Sequence, residues 1–169
     1  MKKLIAIVAG EPNSINAEII GKAWKKAKNK NKLFVIGSYA LIKKQLKEIG
    51  LKIKISKINS IEEITNKKNL NVLNVHLKFK SNYNASIVDT KKYILKSLDI
   101  AHKLAIEKEI MAFINAPINK VIFTNKFLGV TEYLAKKNNV KNKEVMMIYN
   151  KKLSVAPLTT HLEIKNITN

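Results

Sequence analysis

The chain has 169 residues, enough for one sizeable core, and 46% of them are apolar, which suits a globular protein better than a disordered one. Its 32 basic and 12 acidic residues give a formal net charge of +20. With no cysteine, a disulfide framework, a thiolate zinc site and a cysteine nucleophile are all excluded.

The charge raises nucleic acid as a partner, since clustered cations supply the phosphate-neutralising part of such binding. However, every basic residue is Lys and none is Arg, the preferred bidentate reader of phosphates and guanine edges. Lys, Asn and Ile are abundant together, as an AT-rich coding sequence produces without selection for binding. The lysines are scattered, as at Lys25, Lys26, Lys28, Lys30 and Lys32, and are not interleaved with aromatics. A solvated basic surface is the expectation, with no nucleic-acid partner.

Met1-Lys2-Lys3 followed by Leu4 to Ala9 has the look of a signal peptide, but the apolar run is short and passes straight into Glu11-Pro12-Asn13 without a cleavage site. A first strand buried on both faces explains Leu4 to Ala9 better. No apolar stretch approaches the length of a membrane span, so a soluble cytoplasmic protein with no membrane association is expected.

After the polar loop Gly10 to Asn16, a helix is expected from about Ala17 to Lys28, with Ile19, Ile20, Ala23, Trp24 and Ala27 at helical spacing. Leu33 to Gly37 reads as a second buried strand. Ser38 can cap a helix running to about Ile49, and Gly50 stands where such a helix would end. Leu51, Ile53 and Ile55 alternate as in a strand, and Leu70 to Val75 is a further strand candidate. Lys78 to Asn84 reads as a loop before a long amphipathic helix, about Ala85 to Glu107. That helix should turn Ile87, Tyr93, Ile94, Leu98, Ala101 and Ala105 inward. A strand at Ile110 to Ile114, a helix near Thr131 to Lys137 and strands at Glu144 to Tyr149 and Leu153 to Pro157 complete the pattern. Strands alternating with helices at this spacing define an α/β fold with a mostly parallel sheet and flanking helices. No linker or repeat marks an internal boundary. The chain stops at Asn169, just inside a helix expected to begin near Glu163, which suggests truncation.

Ligands of open α/β sheets collect at the carboxyl ends of the strands. Three polar clusters fall at such ends: Gly10-Glu11-Pro12-Asn13-Ser14, Asn115-Ala116-Pro117-Ile118-Asn119-Lys120, and Thr159-Thr160-His161. Each has a plain structural alternative. Pro117 can simply start a helix, Lys120 is one lysine among many, and His161 can be a hydrogen-bonded histidine at a helix start. Imidazole is also a common metal ligand and proton carrier, which makes His161 the most informative single residue. His76 and His102 show no ligand spacing with a partner.

Taken together and in order, these clusters resemble the 4-hydroxythreonine-4-phosphate dehydrogenase family. Gly10-Glu11-Pro12, with Glu18 opening the helix, is similar to its first loop. Asn115 to Lys120 resembles its Pro-Ile-Asn-Lys motif, and Gly129-Val130-Thr131-Glu132-Tyr133-Leu134-Ala135 its Gly-His-Thr-Glu segment. Val145-Met146-Met147 resembles the strand that follows, and Val155 to His161 its metal-histidine segment.

The resemblance implies the N-terminal portion, residues 1–169, of a two-domain dehydrogenase with a fold like that of isocitrate and isopropylmalate dehydrogenases, its C-terminal half absent. It implies a homodimer acting on a small phosphorylated substrate: NAD or NADP accepts hydride from the secondary alcohol, a divalent metal (Zn, Mg or Co) polarises the oxygen, and the β-keto acid loses carbon dioxide. His161 corresponds to one of three metal histidines, and Thr131 to a substrate-contacting threonine. Two departures stand out. Val130 replaces the family's substrate histidine, and Asn13-Ser14-Ile15-Asn16-Ala17 replaces a glycine-rich stretch. Val130 leaves open a sister activity on another phosphorylated hydroxy acid, such as a phosphothreonate or phosphoerythronate, or a non-catalytic remnant. With one metal histidine of three, the chain alone is expected to be inactive, and with part of its sheet uncovered, to self-associate.

Overall fold

The computed structural model describes residues 4–64, 68–123, 127, 129–140, 144–157 and 165. The chain divides into two compact units, 1–122 and 123–169, a boundary that nothing in its composition announces.

The first unit is built on five parallel strands: β1 (Ile5–Val8), β2 (Leu33–Gly37), β3 (Ile55–Ile58), β4 (Leu70–Asn74) and β5 (Ala112–Asn115). Their spatial order is β3-β4-β2-β1-β5, so the strand formed first lies inside the sheet and pairs with the last. Helices α1 (Asn16–Lys26), α2 (Tyr39–Glu48) and α3 (Ile87–Ile106) are the crossovers. Val8, Phe34, Val35, Ile36, Leu70 and Val72 are fully buried, as strands covered on both faces require.

Local chemistry accounts for the helix limits. Ser38 accepts a hydrogen bond from the Leu41 amide at 3.4 Å and starts α2, and Gly50 follows its end with φ +66°. Ser86 starts α3 by accepting from the Asp89 amide at 3.1 Å, while its own hydroxyl donates to the Asp89 carboxylate at 2.6 Å.

Some expectations shift. Helix α1 buries Asn16, Ala17, Ile20, Gly21 and Trp24, while Ile19 and Ala23 face outward. Helical spacing alone admitted either stripe, and Gly21 selects the observed one. A Cβ there would lie 2.5 Å from the tip of Leu51 and 2.7 Å from that of Leu46, so both leucine ends would have to shift to admit one. Ile87, expected inward, is 66% exposed because the apolar face of α3 begins one turn later, at Thr90. Leu51 and Ile53 precede β3 rather than belong to it, although both pack against the core.

In the second unit, α4 spans Val130–Lys137, and Phe123, Phe127 and Tyr133 form an aromatic cluster with centroids 5.5 to 6.4 Å apart. The two strands expected at Glu144 to Tyr149 and Leu153 to Pro157 form instead a short antiparallel hairpin, β6 (Ile148–Tyr149) with β7 (Ser154–Val155), all four residues exposed. Both strands fall within the expected ranges but are shorter. The few residues between them, Asn150 to Leu153, leave no room for a crossover and dictate a hairpin. Among the described residues, no helix is long and apolar enough to cross a membrane.

Coverage of the sheet is uneven. Val72, Val35, Ile7 and Ile114 are successive partners across β4, β2, β1 and β5 on one face. The first two are sealed, Ile7 is half-buried and Ile114 is 56% exposed. The β5 flank of that face is therefore bare.

Candidate functional site

The loops after β1 and β5 are fastened to each other. The Glu11 amide donates to the Pro117 carbonyl at 3.0 Å. Buried Asn16 turns its Nδ2 to three carbonyls: Pro117 at 2.8 Å, Ala9 at 3.1 Å and Glu11 at 3.3 Å. Gly10 lies beneath this clasp with φ +71°, and a Cβ on it would stand 2.5 Å from the Pro117 carbonyl oxygen and 2.7 Å from Asn16 Nδ2. Both the backbone angle and the space demand glycine here.

The same loop is tied to the start of α3. Asn13 donates from Nδ2 to the Ala85 carbonyl at 2.9 Å and accepts from the Ala85 amide at 2.8 Å, mimicking a strand pair. Ser14 donates to the Glu11 carbonyl at 2.8 Å and accepts from the Asn16 amide at 3.2 Å. From α2, Gln45 reaches the Pro12 carbonyl at 2.8 Å. The loop is thus held by side-chain amides and a hydroxyl.

Three segments thus meet at the carboxyl-end rim of the sheet. They frame an open cavity of about 320 Å³ lined by Glu11, Asn13, Ala85, Ile87, Thr90, Asn119, Val121 and Ile122. Its polar groups are a carboxylate, two amides and a hydroxyl, and its walls are aliphatic. Asn119 accepts from the Val121 amide at 3.1 Å, which holds the turn Lys120–Phe123 beside the cavity. Behind it, the buried Tyr93 hydroxyl accepts from the Ser38 amide at 3.1 Å. Burial pushes the Tyr93 phenol up to about 12, with the Glu11 charge adding to the shift and the Ser38 bond opposing it.

The structure brings together two of the three clusters singled out in the sequence, Gly10 to Ser14 and Asn115 to Lys120. Thr131, exposed, and Val130, half-buried, occupy the first turn of α4 in the second unit. His161, with Thr159 and Thr160, lies outside the described residues. Lys120 is exposed. Among the described residues, no group of three or more His, Cys, Asp or Glu could hold a metal ion, and His161, the metal ligand that the resemblance implies, is not among them. Sequence reasoning missed Thr90 and the bracing role of Asn16. The signal for Thr90 was present: it is a polar residue on the apolar stripe of α3, one turn before Ile94.

A parallel sheet whose strand-end loops frame a cavity defines an α/β protein of the open-sheet class, in which ligands collect at that rim. Residues 29–169 match the family described as pyridoxal phosphate biosynthetic protein PdxA, and the chain belongs to that family. It is 32% identical to the 4-hydroxythreonine-4-phosphate dehydrogenase of Sulfurihydrogenibium sp. over 96% of its own length and 51% of that relative's. With the Aquifex aeolicus enzyme of the same name it is also 32% identical, over 100% of this chain and 53% of that one. A solved structure described as a putative 4-hydroxythreonine-4-phosphate dehydrogenase from Salmonella typhimurium superposes with a TM-score of 0.84 at 26% identity, covering 98% of this chain and 53% of that one. The Klebsiella pneumoniae enzyme shares the fold with a TM-score of 0.81. The chain thus spans about half the length of the relatives it matches.

Proposed function

We propose that this chain contributes the β1–β5 rim to an NAD- or NADP-dependent dehydrogenase of 4-hydroxythreonine 4-phosphate, acting in pyridoxal phosphate biosynthesis as a cytoplasmic homodimer. The observation that carries the reading is the clasped pair of loops, Gly10 to Ser14 with Asn115 to Lys120, which frames a cavity where open α/β sheets bind ligands. In this reading the rim orients ligand through Glu11, Asn119 and Thr90, and the aliphatic side chains supply apolar contact. The rest of the enzyme would supply the phosphate-binding cations and the other ligands of a divalent metal (Zn, Mg or Co). That metal would polarise the reacting oxygen and assist the decarboxylation. From this chain the resemblance assigns His161 to the metal and Thr131 to the substrate.

The second reading is oxidation of a related phosphorylated hydroxy acid. It is favoured by Val130, which can neither hydrogen-bond nor carry a proton where the family has histidine. Both readings are tested by mixing this chain with the second half of the Aquifex aeolicus relative and following reduced nicotinamide, the relative's own two halves serving as the positive control. Turnover of 4-hydroxythreonine 4-phosphate supports the first reading, and turnover of phosphothreonate or phosphoerythronate alone supports the second. Silence with every substrate, while the control is active, sinks both.

A further inference from the structure

Helix α3 holds two buried aliphatic hydroxyls, on Thr90 and Ser97, that behave differently. Ser97 Oγ donates to the Tyr93 carbonyl at 2.8 Å, the usual refuge of a hydroxyl inside a helix. Thr90, equally buried at 3% exposure, leaves its Oγ1 with no hydrogen-bond partner. Its own amide already takes the Ser86 carbonyl at 2.9 Å. A buried hydroxyl without a partner is destabilising, so its persistence asks for a reason.

Thr90 lines the cavity at the strand-end rim, together with Glu11 and Asn119. Among the described residues, no lysine lines that cavity, although the chain carries 32 of them. Among the described residues its one charge is the Glu11 carboxylate, which accepts a 3.4 Å bond from the Asn13 amide and has further acceptor capacity. Glu11 disfavours a ligand anion placed directly against it. A group with an N–H donor beside an oxygen would suit it, the donor meeting Glu11 and the oxygen meeting Thr90. The aliphatic Ala85, Ile87, Val121 and Ile122 would flank the rest of the ligand.

We propose that Thr90 is a ligand-binding residue, its free hydroxyl reserved for the oxygen of a neutral or cationic head group whose nitrogen donates to Glu11. Two sources carry that chemistry: the primary carboxamide of a nicotinamide, or the vicinal amino alcohol of a hydroxy amino acid. The choice of these two probes rests on the dehydrogenase reading; the vacant hydroxyl does not.

The test compares the full chain with Thr90→Val and Thr90→Ser in thermal unfolding, alone and with nicotinamide mononucleotide or L-threonine. Without ligand, Thr90→Val is expected to melt above wild type, because a methyl replaces an unsatisfied hydroxyl. With the ligand that fits, wild type and Thr90→Ser should gain stability, while Thr90→Val binds roughly tenfold more weakly. A shift with the mononucleotide alone assigns the carboxamide, and one with threonine alone the amino alcohol. If Thr90→Val melts lower than wild type, or if neither probe shifts wild type, or if wild type and Thr90→Val shift equally, the proposal is overturned. The half-enzyme mixing experiment fails or succeeds independently of these melts, so the two readings are separable.

Discussion

Asn16 and Pro117 stand 101 residues apart in the chain and are joined by a 2.8 Å hydrogen bond from the Asn16 side chain to the Pro117 carbonyl. The bond fixes the loop after the first strand to the loop after the fifth, and with them the floor of the rim. Asn16→Ala would leave three carbonyls without this donor and open a small void. A loss of about 2–3 kcal/mol in denaturant unfolding is expected. Asn16→Asp should be at least as damaging, since an ionised carboxylate cannot donate to carbonyls. An unchanged midpoint in both would remove the clasp from the account.

Gly10 and Gly50 both have positive φ and form a natural contrast. A Cβ at Gly50 meets nothing within 4 Å, whereas one at Gly10 meets Pro117 and Ala116 carbonyls at 2.5 and 2.8 Å. Gly50→Ala should therefore be destabilising by only about 1 kcal/mol, from the backbone angle. Gly10→Ala should be destabilising by several-fold more, and it should disturb amide signals of both rim loops. Equal effects would mean that the crowding at Gly10 relaxes freely.

Tyr93 ties stability to alkaline pH. Its phenol is held near 12 in the folded chain against 10.0 when exposed, so the native state keeps a proton that the unfolded state releases. The contribution is complete below pH 10 and is lost as pH rises from 10 towards 12. A plot of unfolding free energy against pH should fall over that window, and Tyr93→Phe should flatten it. The same substitution leaves the buried Ser38 amide without its acceptor and lowers stability at neutral pH by about 1–3 kcal/mol.

The bare flank at Ile114 predicts self-association. Ile114→Lys adds a charge where the side chain is already 56% exposed, so unfolding stability should change by less than about 0.5 kcal/mol. Sedimentation velocity should show wild type shifting to larger species as concentration rises, and the variant remaining monomeric to higher concentration. Identical profiles would show that this face is not what holds copies together.

Much of this was legible in the sequence. The continuous apolar runs at Leu4 to Ala9 and Leu33 to Gly37 admit little besides buried strands, and Ser38 and Gly50 punctuate α2 as their chemistry requires. The resemblance led to both halves of the clasp because its motifs are loop motifs, and loops at strand ends are where such folds keep their ligands. What stayed hidden depended on contacts between distant segments. Helical periodicity could not choose between the Ile19 and Gly21 stripes of α1, because the choice is made by Leu46 and Leu51 across the helix interface. The strands near Ile148 and Ser154 were legible, but their pairing as a hairpin rests on how little chain separates the two runs, which composition does not register. Thr90 passed unnoticed because one threonine on an apolar stripe is ordinary until its hydroxyl is found without a partner.

The strand order β3-β4-β2-β1-β5 also sets a timetable for synthesis. β1 leaves the ribosome first, yet one of its edges stays unpaired until β5 has been translated and has cleared the exit tunnel. At ordinary elongation rates that interval is roughly 5–20 seconds or more, long compared with the formation of a helix or hairpin. Throughout it the nascent chain offers an open apolar strand to whatever is near. A trigger-type chaperone at the tunnel mouth would find its client in Leu4 to Ala9, and pausing or slow codons ahead of Ala112 would lengthen the exposure.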